Sequence, residues 1–460
     1  MSILYNSQKY TTSVEEKKLQ SIYETYGQFQ KLIILLNICA LAVFSVFDEL
    51  VYLPALPEII KDFSTTETMG LLTISMYLFG LALSSLLWGT LSDYYGRKPI
   101  MTFAFVCLIF SGLGCYLSPN IYVFIIFRAL QGCLVSASVV VAQGTIADVY
   151  DQNHRGEIYG IFYGCSSLSG LTGPVFGGEI SQRYGWKSTF IFITIVVTVL
   201  LIIYVLSVPE THQYMVTRKY LDEKAIKLLE YDQSQEPKLI NPCLPLCYLD
   251  HCSILPYLLP LVAGMLAFKC CGVILTTAMS LPPYSLSEST VGMLYIPLGI
   301  SYLLGSVVGG ELTDYVARRP FRISKIVEGR MIPGLLLSLI TIVGLLLFGW
   351  TIAKVPHAIV PLTGQVLAVF GGSTTRPGIL SYLTSKYQEN SGSISSLAYS
   401  FQYLVASIVV SFIVPMIEII HSGPFFTILA IVSLSTTIVA FVSIYQKFRS
   451  DQNSEMQSLL

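Results

Sequence analysis

The chain has 460 residues, of which 53% are apolar and only 12% charged, with a mean hydropathy of +0.65. So few polar side chains cannot clothe a water-soluble globule of this size, which puts the chain in a bilayer. The 27 basic and 28 acidic residues leave a net charge of −1, which says nothing about partners, although their placement does fix an orientation.

A hydrocarbon core about 30 Å thick asks for roughly 20 apolar residues per helix. Twelve such stretches are predicted, near 32–53, 69–91, 99–117, 121–144, 157–179, 187–208, 256–281, 289–311, 331–353, 358–380, 393–417 and 424–446. The reading is an all-α membrane protein of two six-helix bundles, 32–208 and 256–446, with tails at 1–31 and 447–460 and a linker at 209–255. Residues 1–31 lack the charged leader and short apolar core of a signal peptide and are expected to stay as a tail. With that tail in the cytoplasm, inner segments hold twenty basic residues, outer loops four (Lys61, Arg183, Lys187, Lys354) and spans three (Arg128, Lys269, Arg376). Basic residues collect on the cytoplasmic side, so both termini are expected there.

The first span ends in Asp48-Glu49, two adjacent carboxylates in an apolar helix, which should face a cavity or a partner rather than lipid. Asp48 stands about 25 Å along the helix from Lys31, and Arg128 lies about 12 Å below the outer surface on the fourth span, so their depths are comparable. A buried carboxylate within reach of an arginine can take up and release a proton as access changes. Asp48, Glu49 and Arg128 are therefore candidates for proton coupling, with Asp48 preferred; the alternative is that both carboxylates lie in the outer headgroup zone.

Between the second and third spans runs Gly89-Thr90-Leu91-Ser92-Asp93-Tyr94-Tyr95-Gly96-Arg97-Lys98-Pro99. It returns as Gly310-Glu311-Leu312-Thr313-Asp314-Tyr315-Val316-Ala317-Arg318-Arg319-Pro320 at one constant offset, 310 − 89 = 221 residues, so the chain reads as one half-molecule written twice. Gly89, Leu91, Ser92, Asp93, Gly96, Arg97 and Lys98 together resemble the signature loop of the major facilitator superfamily. The resemblance implies two pseudo-symmetric six-helix bundles and a conformational latch formed by Gly89, Asp93, Gly96, Arg97 and Lys98, echoed by Asp314 and Arg318. Arg128-Ala129-Leu130-Gln131-Gly132 resembles the family's fourth-span motif, which implies that Arg128 faces the central cavity and takes part in proton transfer.

The fifth span carries Gly170-Leu171-Thr172-Gly173-Pro174-Val175-Phe176-Gly177-Gly178. Gly170, Gly173 and Gly177 fall on one helix face and let a neighbour approach closely, while Pro174 removes a backbone hydrogen bond and permits a bend. Within the family a Gly-rich Gly-Pro stretch here, with Gly178, resembles the mark of exporters that exchange substrate for protons. Asp148-Val149-Tyr150, Arg155-Gly156 and Gly185-Trp186-Lys187-Ser188-Thr189-Phe190 are similar to stretches of fungal twelve-span drug:proton antiporters.

The linker holds a mixed-charge stretch (Arg218 to Glu230) and Cys243, Cys247 and Cys252 beside His251, whose spacing fits no zinc template well and suits juxtamembrane cysteines. In the second half, Leu286-Ser287-Glu288, Tyr295-Ile296-Pro297-Leu298-Gly299-Ile300 and Leu304-Gly305-Ser306 resemble the branch of quinidine-resistance and dityrosine exporters. Gln131, Lys269, Arg376 and Gln402 are candidates for the substrate cavity, and the last three depart from what relatives carry, which opens the substrate to anions or zwitterions as well as cationic drugs. Arg376 is also placed to snorkel to the cytoplasmic surface. The end, Glu455-Met456-Gln457-Ser458-Leu459-Leu460, resembles an acidic dileucine sorting signal, which would favour an endosomal, vacuolar or lysosomal membrane over the plasma membrane.

The expected function is proton-coupled export of a small organic solute or drug by alternating access. A symporter or uniporter on the same fold, or a receptor that binds without transporting, is the alternative. No nucleophile and base, phosphate loop or metal cluster falls in a plausible place, so an enzyme is not expected. Small-molecule substrate, protons and the lipid bilayer are the expected partners, with no cofactor, metal or nucleic acid and a monomer as the working unit.

Overall fold

The computed structural model describes residues 26–150, 155–212, 215–216, 254–282, 284–318, 327–354, 357–386 and 391–459; of these, 155–157, 317–318, 327, 384–385, 391–393, 395 and 451–459 are described by backbone alone. Every regular element among them is a helix. The mixed-charge stretch of the linker, its cysteines with His251, and Arg319 and Pro320 lie outside the described residues.

Ten of the twelve expected spans are helices long and apolar enough to cross a bilayer unaided. The other two are helical as well. The fifth is made of Arg155–Ser167 and Ser169–Tyr184, and the tenth is Ile359–Lys386, interrupted in its apolar run by Gly371-Gly372-Ser373-Thr374-Thr375-Arg376. The interruption of the fifth falls at Leu168, six residues before Pro174, which sits inside the second piece. There the Leu168 and Leu171 amides bond three residues back, to Cys165 and Leu168, tightening one turn.

The first span, Gln28–Leu50, outruns its sequence estimate by way of a 3-10 turn at Leu53–Ala55 and a short helix, Leu56–Asp62. Pro54 and Pro57 stand in the first turns of these two pieces, where a missing N–H costs nothing. Thr66 caps the second span, Glu67–Tyr95, and Asn120 the fourth, Ile121–Val149, each by accepting from the backbone amide three residues on. The twelfth helix, Ser422–Leu459, continues well past the expected bilayer edge and takes in residues 455–459 of the acidic dileucine pattern.

The close-packed glycines of the fifth span divide into two sets. A Cβ on Gly173 or Gly177 would meet the first span at Phe47, Leu50 and Val51, within the same half. Gly170 and Gly178 face the eighth span, near Gly299 and Glu288, and Gly292 and Gly299 answer from the opposite side against Pro174 and Leu171. The fifth span is therefore smooth on both flanks, and backbone meets backbone across the line where the two halves join. Gly160 and Gly164 face open space instead.

One set of polar contacts between the halves sits at the end opposite the Gly89 loop. There Ser289 donates through its hydroxyl to Glu179 Oε2 at 2.8 Å and through its amide to Gln182 Oε1 at 3.0 Å. A second seam joins the eleventh span, Ser391–Ile420, to the second, where the Ser400 hydroxyl donates to Ala82 O at 2.8 Å.

Candidate functional site

The first span delivers Asp48 and Glu49 about 100° apart around its axis, as consecutive helix positions must be. Neither lies in a headgroup zone: Asp48 is 0% exposed and Glu49 is 3% exposed. Asp48 turns into its own half, where the Tyr77 hydroxyl donates to Oδ2 at 2.9 Å and Gln131 Nε2 donates to Oδ1 at 2.8 Å. Arg128 reaches it through one intermediary, its Nη1 donating to Gln131 Oε1 at 2.7 Å. The guanidinium lies over the Tyr52 and Tyr77 rings, 4.0 and 4.2 Å from their centroids, which offsets part of its desolvation in an otherwise apolar core. Gln131 is thus the link between acid and base and lies behind the cavity wall.

Glu49 turns the other way and forms an ion pair with Lys269 of the seventh span, Leu255–Ser280, so that a buried bond ties one half to the other. The pair forms the far wall of a cavity that runs between the halves toward the end that carries the Gly89 loop. A smaller recess lies on the other side of the same pair, against Leu53, Ile74 and Tyr295. Arg376 also lines the main cavity and does not snorkel: Nη1 donates to the Tyr302 hydroxyl at 2.8 Å, and the guanidinium stands 5.3 Å from the Tyr163 ring across the gap. Tyr399 and Tyr403, with ring centroids 4.5 Å apart, close the side wall. Gln402 is one residue round the helix from that wall, and its amide donates to Ala398 O at 2.9 Å within its own helix.

At the Gly89 loop, Arg97 is the hub. It pairs with Asp93 at 2.5 Å and with Asp148 at the end of the fourth span at 2.8 Å, and its Nη1 donates to Ser92 Oγ at 2.6 Å. Gly96 adopts φ +95°, a left-handed conformation that glycine reaches freely, and so turns the chain sharply between the second and third helices. The turn aims the Arg97 and Lys98 amides, at the start of the third helix, onto the carboxylate of Glu210, at 2.9 and 3.1 Å; Lys98 Nζ adds a bond to Val205 O at 2.8 Å. A carboxylate at a helix start satisfies orphan donors and meets the positive end of the dipole. Beside it, burial first and then the Arg97 guanidinium hold the His212 imidazole below its ordinary pKa. A Cβ on Gly89 would meet Val140 at 3.6 Å, ordinary contact, and Asp314 in the second half is exposed at the end of Tyr295–Arg318.

The sequence reading missed Tyr77, Tyr163, Tyr302 and Glu210. Glu210 carried a usable signal, being the first acid after the apolar run of the sixth span and preceded by Pro209. The tyrosines carried none, since 29 occur along the chain without a period that separates cavity from packing.

A family model described as Major Facilitator Superfamily matches residues 38–410. The chain belongs to that superfamily. It is accordingly a multi-pass integral membrane protein. Its relatives include MFS transporter fsa7 of a Fusarium species, 29% identical over 70% of this chain and 65% of the relative, and efflux pump radE of Floropilus chiversii, 29% identical over 70% and 62%. The match therefore spans just under two thirds of those two proteins. Quinidine resistance protein 1 of Saccharomyces cerevisiae is 24% identical over 91% of this chain and 84% of its own length. Among solved structures, the xylose transporter XylE of E. coli, in a partially occluded inward-open conformation, superposes with a TM-score of 0.65 over 89% of this chain and 98% of XylE at 15% identity, a likeness of fold alone.

Proposed function

We propose that this superfamily member is a proton-coupled antiporter that exports a small organic solute by alternating access. The observation that carries the reading is Asp48, wholly buried, held by Tyr77 and Gln131, joined to Arg128 through Gln131 and one residue from the Glu49 to Lys269 bar between the halves. Adding a proton to Asp48 removes the charge that Gln131 and Arg128 answer, so the network must re-pair. The change arises on the same helix turn that holds the inter-half bond. Gly173 and Gly177 beside that turn leave no side chain to lock the first span against the fifth. Loading and unloading the proton thereby bias how the halves meet.

The Arg97 cluster acts as the latch, clamping the ends of the second, third, fourth and sixth spans into one rigid block that tilts as a unit. Export and exchange are favoured by relatives named efflux pump, quinidine resistance protein and MFS antiporter. The twenty inner basic residues against four outer ones support cytoplasmic termini and a cavity open to the cytoplasm. The bundles are assigned to 32–208 and 256–446, with the plasma membrane or an endosomal, vacuolar or lysosomal membrane as the site of action.

The test begins with a thermal-shift screen of amino acids, polyamines, weak acids and cationic drugs, followed by proteoliposome flux of those that stabilise the protein. An antiporter accumulates its solute in the acidic compartment, beyond protein-free liposomes. Accumulation in the alkaline compartment would make the protein a symporter and overturn the reading.

A further inference from the structure

The cavity's charge does not balance. Its lining includes three ionisable side chains of fixed sign, Glu49, Lys269 and Arg376, which sum to −1 + 1 + 1 = +1. Lys269 is answered by Glu49. Arg376 has no carboxylate within ion-pair reach among the described residues, only the Tyr302 hydroxyl on Nη1 and the Tyr163 ring at 5.3 Å, and its Nε has no hydrogen-bond partner. A guanidinium set in an aromatic wall without a counter-ion is costly to hold, and the missing charge is one a ligand can bring. The guanidinium fork matches the two oxygens of a carboxylate, and the surrounding Phe162, Tyr163, Phe268, Tyr302, Tyr399 and Tyr403 suit a flat or apolar body.

We infer that the cavity takes an amphipathic organic anion, a carboxylate on an aromatic or apolar frame, with Arg376 as the residue that binds the carboxylate. The Glu49 to Lys269 pair stands at the inner limit of the site and keeps Lys269 from competing for the anion, so Arg376 alone sets the charge preference. This rests on the export reading for its physiological sense: exchanging one anion outward for one proton inward moves two charges the way an inside-negative potential favours. A cationic drug would meet repulsion at the same place.

The experiment is isothermal titration of the full-length protein in lipid nanodiscs with three compounds of one shape: 3-phenylpropionate, 3-phenylpropionamide and 3-phenylpropylamine. The carboxylate is expected to bind at least about tenfold more tightly than the amide, with the amine weakest, as the loss of a charge-assisted hydrogen bond implies. Arg376→Gln should erase the preference for the carboxylate over the amide, and Arg376→Lys should restore part of it. An amine that binds as well as the carboxylate overturns the inference, as does a preference unchanged in Arg376→Gln or a wild-type protein that binds none of the three. Because the titration needs no proton gradient, it separates the two readings. Binding as expected with solute gathering in the alkaline compartment sinks export alone, whereas antiport of some other solute with no carboxylate preference sinks the anion site alone.

Discussion

Asp48 and Glu49 are consecutive in the chain, yet their surroundings belong to different structures. Asp48 looks into the interior of one half, held by hydrogen bonds from Tyr77 and Gln131 and removed from the cavity, while Glu49 looks across the join to a lysine of the other half. The first environment is rigid and shared within a single block; the second spans a boundary that must open. The 100° between neighbouring helix positions lets one turn hold both a proton site and an inter-half bond, so an event at one is felt at the other without a long path.

The sharpest break of the comparison is Asp48→Asn. It should lower pH-driven efflux by about 100-fold, the order lost with a proton-transfer group, while solute counterflow persists; retained pH-driven efflux would move the proton site to Glu49. Next comes the join. Lys269→Met leaves Glu49 buried and unanswered and should cost about 3–5 kcal/mol, read as a lower melting temperature. The double change Lys269→Met with Glu49→Gln should recover most of it, and failure to recover would mean the pair is not what Glu49 answers.

Gly177→Ala drives a Cβ into Val51 O and should cost about 1–3 kcal/mol, whereas Gly160→Ala, facing open space, should stay within about 0.5 kcal/mol. Equal effects would contradict the close approach of the fifth span to the first. Asp93→Asn, whose carboxylate is half exposed, should cost less than about 1 kcal/mol and leave insertion normal, with transport reduced because the Arg97 guanidinium keeps only Asp148 and Ser92. Unchanged flux at equal expression would count against the latch.

The fold was legible because bilayer thickness and apolar run length constrain each other, and because the Gly89 loop repeats at Gly310. The loop also announced its hub, Arg97, but not what Arg97 clamps, since Asp148 and Glu210 lie 51 and 113 positions away. Asp48 and Arg128 were brought to one depth by counting residues, but the intermediary Gln131 and the divergence of Asp48 from Glu49 depend on helix rotation. Rotation is poorly fixed when, as in the second and fourth spans, the exposed face (Leu83, Leu87; Ile126, Leu130) is as apolar as the buried one. Gln402 and Arg376 show the same limit from opposite sides: the glutamine folds back onto its own helix, and the arginine placed to reach the surface turns into the cavity instead.

The central claim is that protonation of Asp48 changes which end of the molecule is sealed. Spin labels at the exposed positions Tyr184 and Ile359 report on the end closed by Ser289, and labels at Phe29 and Tyr445 report on the opposite end. Pulsed electron-spin distances in acid and alkaline buffer should change reciprocally at the two ends in the otherwise wild-type protein and should stop responding to pH in Asp48→Asn. Distances that ignore pH in both, or that respond alike in both, would contradict it.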